Sequence, residues 1–392
     1  MDPVRNPFAP GAGSQPPELA GRDAILTDAD IALQRVLLGR HARSQILLGL
    51  RGTGKTVLLN RIERMARQHG HETSFVEAPE DRRLADILYP QVHSVLRRLS
   101  FIEASKHLAY RGMRALRGFA SVFKVKVNDV SISVDAEPGL ADSGDLETDL
   151  AELFVVVGEA AKAASRAWSL FIDEIQYLET REYASLIVAL HRTNQRELPV
   201  MLFGAGLPQV AALSGDAKSY AERLFLFPVI GPLDLAAALD AILQPVKSEG
   251  EEITEDALRD IFAATKGYPY FLQEWGYQSW NAADQSPISA EDVELAGALS
   301  LARLDEGFFR VRLDRLTPKE REYVMAMSRL GEGPFRSSDV ADELGEHLTK
   351  LGPRRAQIIS KGMIYSPAHG DIDFTVPMFG DYLRRIAKMN AH

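Results

Sequence analysis

The 392-residue sequence predicts an α/β fold, a parallel five-stranded sheet with helices on both faces, followed by a winged-helix domain. Three observations predict it. Five short apolar runs alternate with segments of helical period. The first run ends in a glycine-rich pattern suited to phosphate, and the third ends in two adjacent acids.

Taken in order, "MDPVRNPFAPGAGSQ" (residues 1–15) is rich in Pro and Gly and has no apolar centre, so it reads as a loose tail. "SQILL" (Ser44 to Leu48) suits a buried parallel strand. "GLRGTGKT" then fits G-x-x-x-x-G-K-[ST], and the periodic segment "KTVLLNRIERMARQHG" predicts a helix ending at Gly70. In such a pattern Gly49, Gly52, Thr53 and Gly54 present backbone N–H groups to phosphate oxygens, Lys55 reaches the β and γ phosphates, and the Thr56 hydroxyl ligates magnesium. The helix N-terminus adds its dipole. A plain strand-to-helix turn is the competing reading.

"TSFVEA" from Thr73 is the second strand, and "WSLFI" (Trp168 to Ile172) the third. Asp173 and Glu174 follow it. Beside a phosphate cradle, Asp173 is placed to hold magnesium through water, and Glu174 to orient water as general base. Adjacent strand residues face opposite ways, so the pair works only where the strand ends. A solvated strand cap is the alternative. "LPVMLFGAG" from Leu198 and "RLFLFPVIGPL" from Arg223 complete the sheet, and Pro228, which has no N–H, sends the last strand to an edge.

Between the second and third strands lies an insertion at about 100–150. Residues 106–126 carry six basic and no acidic side chains, and 134–150 carry six acidic and no basic ones. The alternation around Asn128-Asp129 predicts a β-hairpin between them. The basic helix, with Tyr110 and Phe119, faces nucleic acid or an acidic partner on one reading; on the preferred one it pairs internally with the acidic segment.

From Leu316, three helical segments and a hairpin at His369-Gly370 predict the winged helix, a variant of helix-turn-helix. Lys350, Arg354, Arg355 and Lys361 on its third helix suit duplex DNA. Residues 301–392 hold 15 Lys and Arg against 13 Asp and Glu, a weak basic excess that equally suits a regulatory element.

Composition narrows the function classes. The absence of cysteine excludes disulfides, thiolate metal sites and a cysteine nucleophile. No apolar run approaches the roughly 18 residues of a membrane span, and a cytoplasmic location is expected. A net charge of −9 argues against a surface devoted to nucleic acid.

With these motifs in this order, from about Pro16 to Trp280, the chain resembles the AAA+ ATPases. More narrowly, it is similar to the branch that joins STAND nucleotide switches to archaeal ATPases and origin-recognition initiators. The resemblance implies ATP or ADP with Mg2+ as ligands, a nucleotide module at 16–232, a helical lid at 233–300 and a winged helix at 301–392. "PPELAGRDAIL" matches the family's Gly-Arg box, placing Gly21 and Arg22 near adenine. "TKGYPYF" supplies a G-x-P element, Gly267, Tyr268 and Pro269, where other branches carry an arginine sensor. Arg223 sits where an arginine finger serves a neighbouring subunit, which implies a homo-oligomer; a surface arginine is the alternative. The family's polar sensor at the end of the fourth strand is replaced by Gly204, Ala205 and Gly206, which implies slow turnover and a switch with a protein partner yet to be named. An ATP-controlled DNA-binding protein is the alternative function.

Overall fold

The computed structural model describes residues 1–11, 19–78, 82–125 and 135–390. Five parallel strands, β1 (Ser44–Leu48), β2 (His71–Glu77), β3 (Ala167–Asp173), β4 (Val200–Gly206) and β5 (Phe225–Leu226), lie in the order β2-β3-β4-β1-β5. Strands β1, β3 and β4 are buried along their whole length, as expected of continuous apolar runs covered on both faces.

Alternation along the strands divides the core in two. Leu47, Phe171 and Phe203 join one apolar cluster with the helices Asp23–Leu37 and Lys55–Gln68. Their neighbours Ile46, Leu48, Leu170, Ile172 and Leu202 join the other, beneath the helices Leu84–Ser100, Leu146–Ala163 and Thr180–Gln195. On the first face Phe75, Phe171 and Phe203 stack in a row, with centroids 6.2 and 5.3 Å apart, pinning the register of three strands.

The fifth strand is at the edge, as Pro228 requires, but it is shorter than its apolar run. Regular pairing stops after two residues and resumes as a single bridge at Val229. Pro228 still accepts from the Leu48 N–H at 2.8 Å, and Ile230 donates to the Leu48 carbonyl. The sheet therefore hands the chain on beside the loop after β1.

Two further expectations meet the structure differently. Residues 1–11 are not a loose tail. Phe8 is 3% exposed and fills the gap left by Gly276 in the helix Pro269–Ala282, where an added Cβ would stand 2.7 Å from its ring. The Asn6 amide donates to the Tyr277 carbonyl at 3.0 Å, and Trp280 donates to the Asp2 carbonyl at 2.8 Å. Composition could not reveal this, because the tail's one aromatic residue finds its partner far along the chain. In the insertion, the basic helix Lys106–Val122 buries Phe119 completely, so that ring is not available to stack on a base. Arg111 and Arg114 both reach Glu137, at 3.5 and 3.1 Å, in line with internal pairing. The hairpin expected at Asn128-Asp129 lies outside the described residues.

After β5 come helices Leu235–Ser248, Glu255–Thr265, Pro269–Ala282 and Ala290–Arg303, then a π-helical turn, Leu304–Phe309. The C-terminal helices Pro318–Arg329, Ser337–Leu344 and Leu348–Ser360 accompany an antiparallel sheet in the order β6-β8-β7, where β6 is Phe335–Arg336, β7 is Ile364–Tyr365 and β8 is Asp371–Phe374. The β7–β8 turn contains His369 and Gly370, with Gly370 at φ 86°. Strand β6 has two residues, too few for any sequence pattern, and the closing helix Phe379–Asn390 adds to the three helices and hairpin that the sequence predicts. One apolar cluster spans Tyr268, Phe271, Phe308, Phe309, Phe379 and Tyr382, so these elements share a core. No described helix is long and apolar enough to cross a membrane.

One buried group gives stability a pH dependence. At the start of β2, His71 Nε2 lies 3.1 Å from the Leu33 carbonyl, which only accepts, so Nε2 carries the proton. Nδ1 then accepts from the Ser169 hydroxyl at 2.8 Å, and the ring is neutral. Burial lowers its pKa to about 4. Between pH 6.5 and 4 the unfolded chain binds the extra proton, so stability falls on acidification through that window. From pH 7 to 5 the loss is about 2 kcal/mol. A His71→Gln variant lacks this dependence, and the gap in melting temperature between it and the wild type is expected to narrow over that range.

Candidate functional site

The loop between β1 and the helix Lys55–Gln68 curls because two features require it. Gly54 takes φ 89°, a left-handed conformation. Gly49 passes so close to the Ile230 carbonyl that no side chain fits. Within the loop, the Thr53 hydroxyl donates to the Leu50 carbonyl at 2.9 Å, and Lys55 Nζ donates to the same oxygen at 2.8 Å. Lys55 is 7% exposed, and burial lowers its pKa to about 8 against the opposing pull of Glu174 and Asp173.

Strand β3 ends at Asp173, and Glu174 turns to φ 51°, so the two acids do not oppose each other across the sheet. Asp173 accepts from the Thr56 hydroxyl at 2.6 Å and from the Glu174 N–H at 2.9 Å. Burial raises its pKa, and the Thr56 hydrogen bond opposes that shift.

A side chain absent from the sequence argument stands between these acids and β4. The Gln176 amide donates to the Glu174 carboxylate. Its oxygen accepts from the Leu207 N–H at 3.1 Å, just past the end of β4. An added Cβ on Gly206 would stand 2.9 Å from that oxygen, which is why a glycine closes the strand. Gln176 was visible in "DEIQ", but nothing in the spacing revealed that it would reach across to β4.

Lys55, Thr56 and Glu174 line a cavity of about 270 Å³. Its other walls include Leu19, Ala20 and Leu233 on the apolar side. Arg22 also lines it and donates to the Gly231 and Thr53 carbonyls; burial lowers its pKa, with Asp234 opposing. Gly21 packs against Ala237 instead of facing the cavity. Pro269 lines the cavity, while Gly267 lies behind it, donating no surface but accepting from Leu233 N–H at 2.8 Å. The Tyr268 hydroxyl donates to the Arg51 carbonyl, and the Tyr270 N–H donates to the Gly52 carbonyl at 3.2 Å. The Gly-Tyr-Pro turn is thus hydrogen-bonded directly to the glycine-rich loop.

Other expected residues lie elsewhere. Arg223 is exposed at the end of a short helix, Ala221–Leu224, and does not line the cavity. In the C-terminal unit Lys350 is exposed, but Arg354 pairs with Glu346 at 2.9 Å, Arg355 donates to Ser337 at 2.8 Å, and Lys361 pairs with the buried Glu320 at 2.6 Å. Two cations missed by sequence reasoning, Arg51 and Arg312, line the cavity.

The sheet order, the cradle after β1 and the acids after β3 define the P-loop NTPase fold of the AAA+ kind. The comparisons agree. Residues 18–203 match the model of the AAA ATPase domain, and residues 306–383 match a domain of unknown function. No curated protein matches the chain. Among solved structures, a Walker-type ATPase of Pyrococcus abyssi superposes with a TM-score of 0.59 at 15% identity, over 93% of this chain and 96% of that one. The Aeropyrum pernix Orc1 protein, solved in complex with DNA, gives 0.50 at 16% identity over 98% of each chain. Cdc6p of Pyrobaculum aerophilum gives 0.50 at 17%, over 100% of this chain and 99% of that one. At such identities the likeness is one of fold.

The crowding at Gly206 yields a prediction. Gly206→Ser would put a hydroxyl where related ATPases often have a polar residue, yet its Cβ meets Gln176, Ile175 and Val210 all at 2.9 Å. Thermal melting is expected to show a loss of about 1–3 kcal/mol from overpacking, with no gain in turnover.

Proposed function

We propose that this chain is an ATP-binding, slowly hydrolysing AAA+ ATPase of the STAND-like kind, acting as a nucleotide-controlled switch. The observation that carries this reading is the 2.6 Å bond between Thr56 and Asp173, with Lys55 and Glu174 facing the same cavity. On ATP binding, the phosphates take the place of the Leu50 carbonyl as partner to Lys55, and the loop N–H groups surround them. The Thr56 hydroxyl and Asp173 carboxylate are hard oxygen donors suited to magnesium, which when bound neutralises charge on the β and γ phosphates.

Glu174 would orient the attacking water and accept its proton. The hydrogen bond from Gln176 fixes the orientation of that carboxylate, and Gly204, Ala205 and Gly206 put no polar side chain at the end of β4, which favours slow turnover. The regulatory part would be a lid at 233–300 and a winged helix at 301–392, built from the three C-terminal helices and β6–β8. Its link to the nucleotide is short, since the Arg51 N–H donates to the Thr375 carbonyl at 3.2 Å. A DNA grip through Lys350, Arg354, Arg355 and Lys361 is the weaker reading, because the last three are already engaged internally.

Equilibrium titration with ATP tests the cradle. Lys55→Ala is expected to lose ATP binding, whereas Glu174→Gln keeps binding and loses hydrolysis, since only the base is removed. Equal ATP affinity in wild type and Lys55→Ala would refute the assignment.

Arg223 tests whether the site is completed by a second copy of the chain. An arginine finger contributes roughly 10³ to 10⁵ in rate where it operates. Specific activity is then expected to rise with protein concentration, and Arg223→Ala to flatten that rise without altering ATP affinity. Mixing Arg223→Ala with Glu174→Gln should recover some activity. Turnover independent of concentration, with inert mixtures, would identify a monomeric switch.

A further inference from the structure

The polar side of the cavity contains a cation that none of the ATPase motifs explains. Arg312 belongs to the helix Arg310–Asp314, just after the π-helical turn, within the segment matched only by a domain of unknown function. Yet its side chain lines the cavity together with Lys55, Thr56 and Glu174.

A relay of contacts places it there. The guanidinium lies 3.7 Å over the Phe308 ring, and its Nη1 donates to the Phe308 carbonyl at 2.7 Å. Phe308 stacks on Tyr270 at 4.6 Å with the rings 22° apart. Tyr270 in turn donates its N–H to Gly52 of the glycine-rich loop, at 3.2 Å. Arg312 is therefore held in fixed relation to the phosphate cradle.

Its surroundings lack the usual partner. Arg312 is half-buried, and a cation partly removed from water is normally matched by a carboxylate, because desolvating an unpaired charge is costly. Burial lowers the pKa of Arg312 to about 10, and the next strongest influence is Arg51, another cation. Tyr270, Arg315 and Tyr268 are the other groups acting on it, and no carboxylate of the described residues is among them. Arg51 sits in the loop itself and keeps a buried Nε without a hydrogen-bond partner. Two arginines that line one cavity and repel each other are relieved by an anion in it.

We propose that Arg312 contacts the nucleotide, binding the terminal phosphate of ATP alongside Lys55 and Arg51. It would supply from the same chain the charge that neither Gly204, Ala205 and Gly206 nor the Gly-Tyr-Pro turn provides. The ligand class is a nucleoside triphosphate in preference to a diphosphate. Since the arginine comes from residues beyond the lid, ATP favours the docked position of the C-terminal segment more than ADP does. This inference rests on the ATP-binding reading above.

The test uses the full chain as wild type, Arg312→Met, Arg312→Lys and Lys55→Ala. Each is titrated calorimetrically with ATP and with ADP, and melted without nucleotide. Methionine keeps an unbranched stem against Phe308 while removing the charge. For Arg312→Met, ATP affinity is expected to fall about 10- to 100-fold and ADP affinity by no more than about threefold, given the strength of a hydrogen bond to a charged group. Its nucleotide-free melting temperature should equal or exceed that of the wild type, because a partly desolvated charge that Arg51 repels is gone. Arg312→Lys should recover part of the ATP affinity. Unchanged ATP affinity with a lower melting temperature would overturn the proposal and make Arg312 a structural cation bracing the π-helical turn. Equal losses for ATP and ADP would overturn its assignment to the terminal phosphate. If Lys55→Ala binds ATP as well as the wild type does, the ATP reading fails, and this inference with it.

Discussion

The hydrogen bond from Thr56 to Asp173 constrains much of what surrounds it. Thr56 follows β1 and Asp173 ends β3, but β4 lies between those strands in the sheet. The two can meet only above the end of β4, and that end must stay low. Gly204 and Gly206 meet the requirement: an added Cβ on Gly204 would stand 3.3 Å from both Ile175 and Ile46, and one on Gly206 would stand 2.9 Å from Gln176. The small residues that read in the sequence as a missing sensor are thus a packing condition for the site. Gln176, anchored to Leu207 and bonded to Glu174, occupies the space they leave.

A second constraint comes from the loop after β1, whose backbone is bonded from three directions. Gly49 donates to Gly206 of β4, Arg51 donates to Thr375 near β8, and Gly52 accepts from Tyr270. Tyr268 adds a bond to the Arg51 carbonyl. Sheet, lid and C-terminal segment therefore converge on a few consecutive peptide groups. Such a loop cannot change its shape around phosphate without altering at least one of these contacts.

The sequence made the sheet legible because buried parallel strands need unbroken apolar runs, and it made the cradle legible because phosphate chemistry demands glycine, lysine and threonine at fixed spacing. The edge position of β5 followed from one missing N–H at Pro228. What stayed hidden depends on contacts between distant residues. Phe8 looked like part of a loose tail until Gly276 gave it a socket. No local pattern marks Arg312, whose side chain reaches the cavity beside Phe308 and Tyr270. The cations of the third C-terminal helix were legible as charge but not as pairs, because Glu346, Ser337 and Glu320 approach from neighbouring turns and helices.

The shared aromatic core decides how a nucleotide could act at a distance. Phe271 of the lid packs edge-on against Phe308 and Phe309, at 6.3 and 6.4 Å, and Phe309 stacks on Tyr382 of the closing helix at 5.3 Å. Phe309 and Phe271 are completely buried, and fully burying such a side chain is worth roughly 1.5–3 kcal/mol. Parting the lid from the C-terminal segment would expose several of these rings at once, a cost comparable to the whole stability of a typical domain. Breaking the few hydrogen bonds between the glycine-rich loop and these elements costs less, at about 0.5–1.5 kcal/mol each. The weaker seam is therefore the one that runs through the nucleotide cavity, and lid and C-terminal segment are expected to move against the sheet as one body.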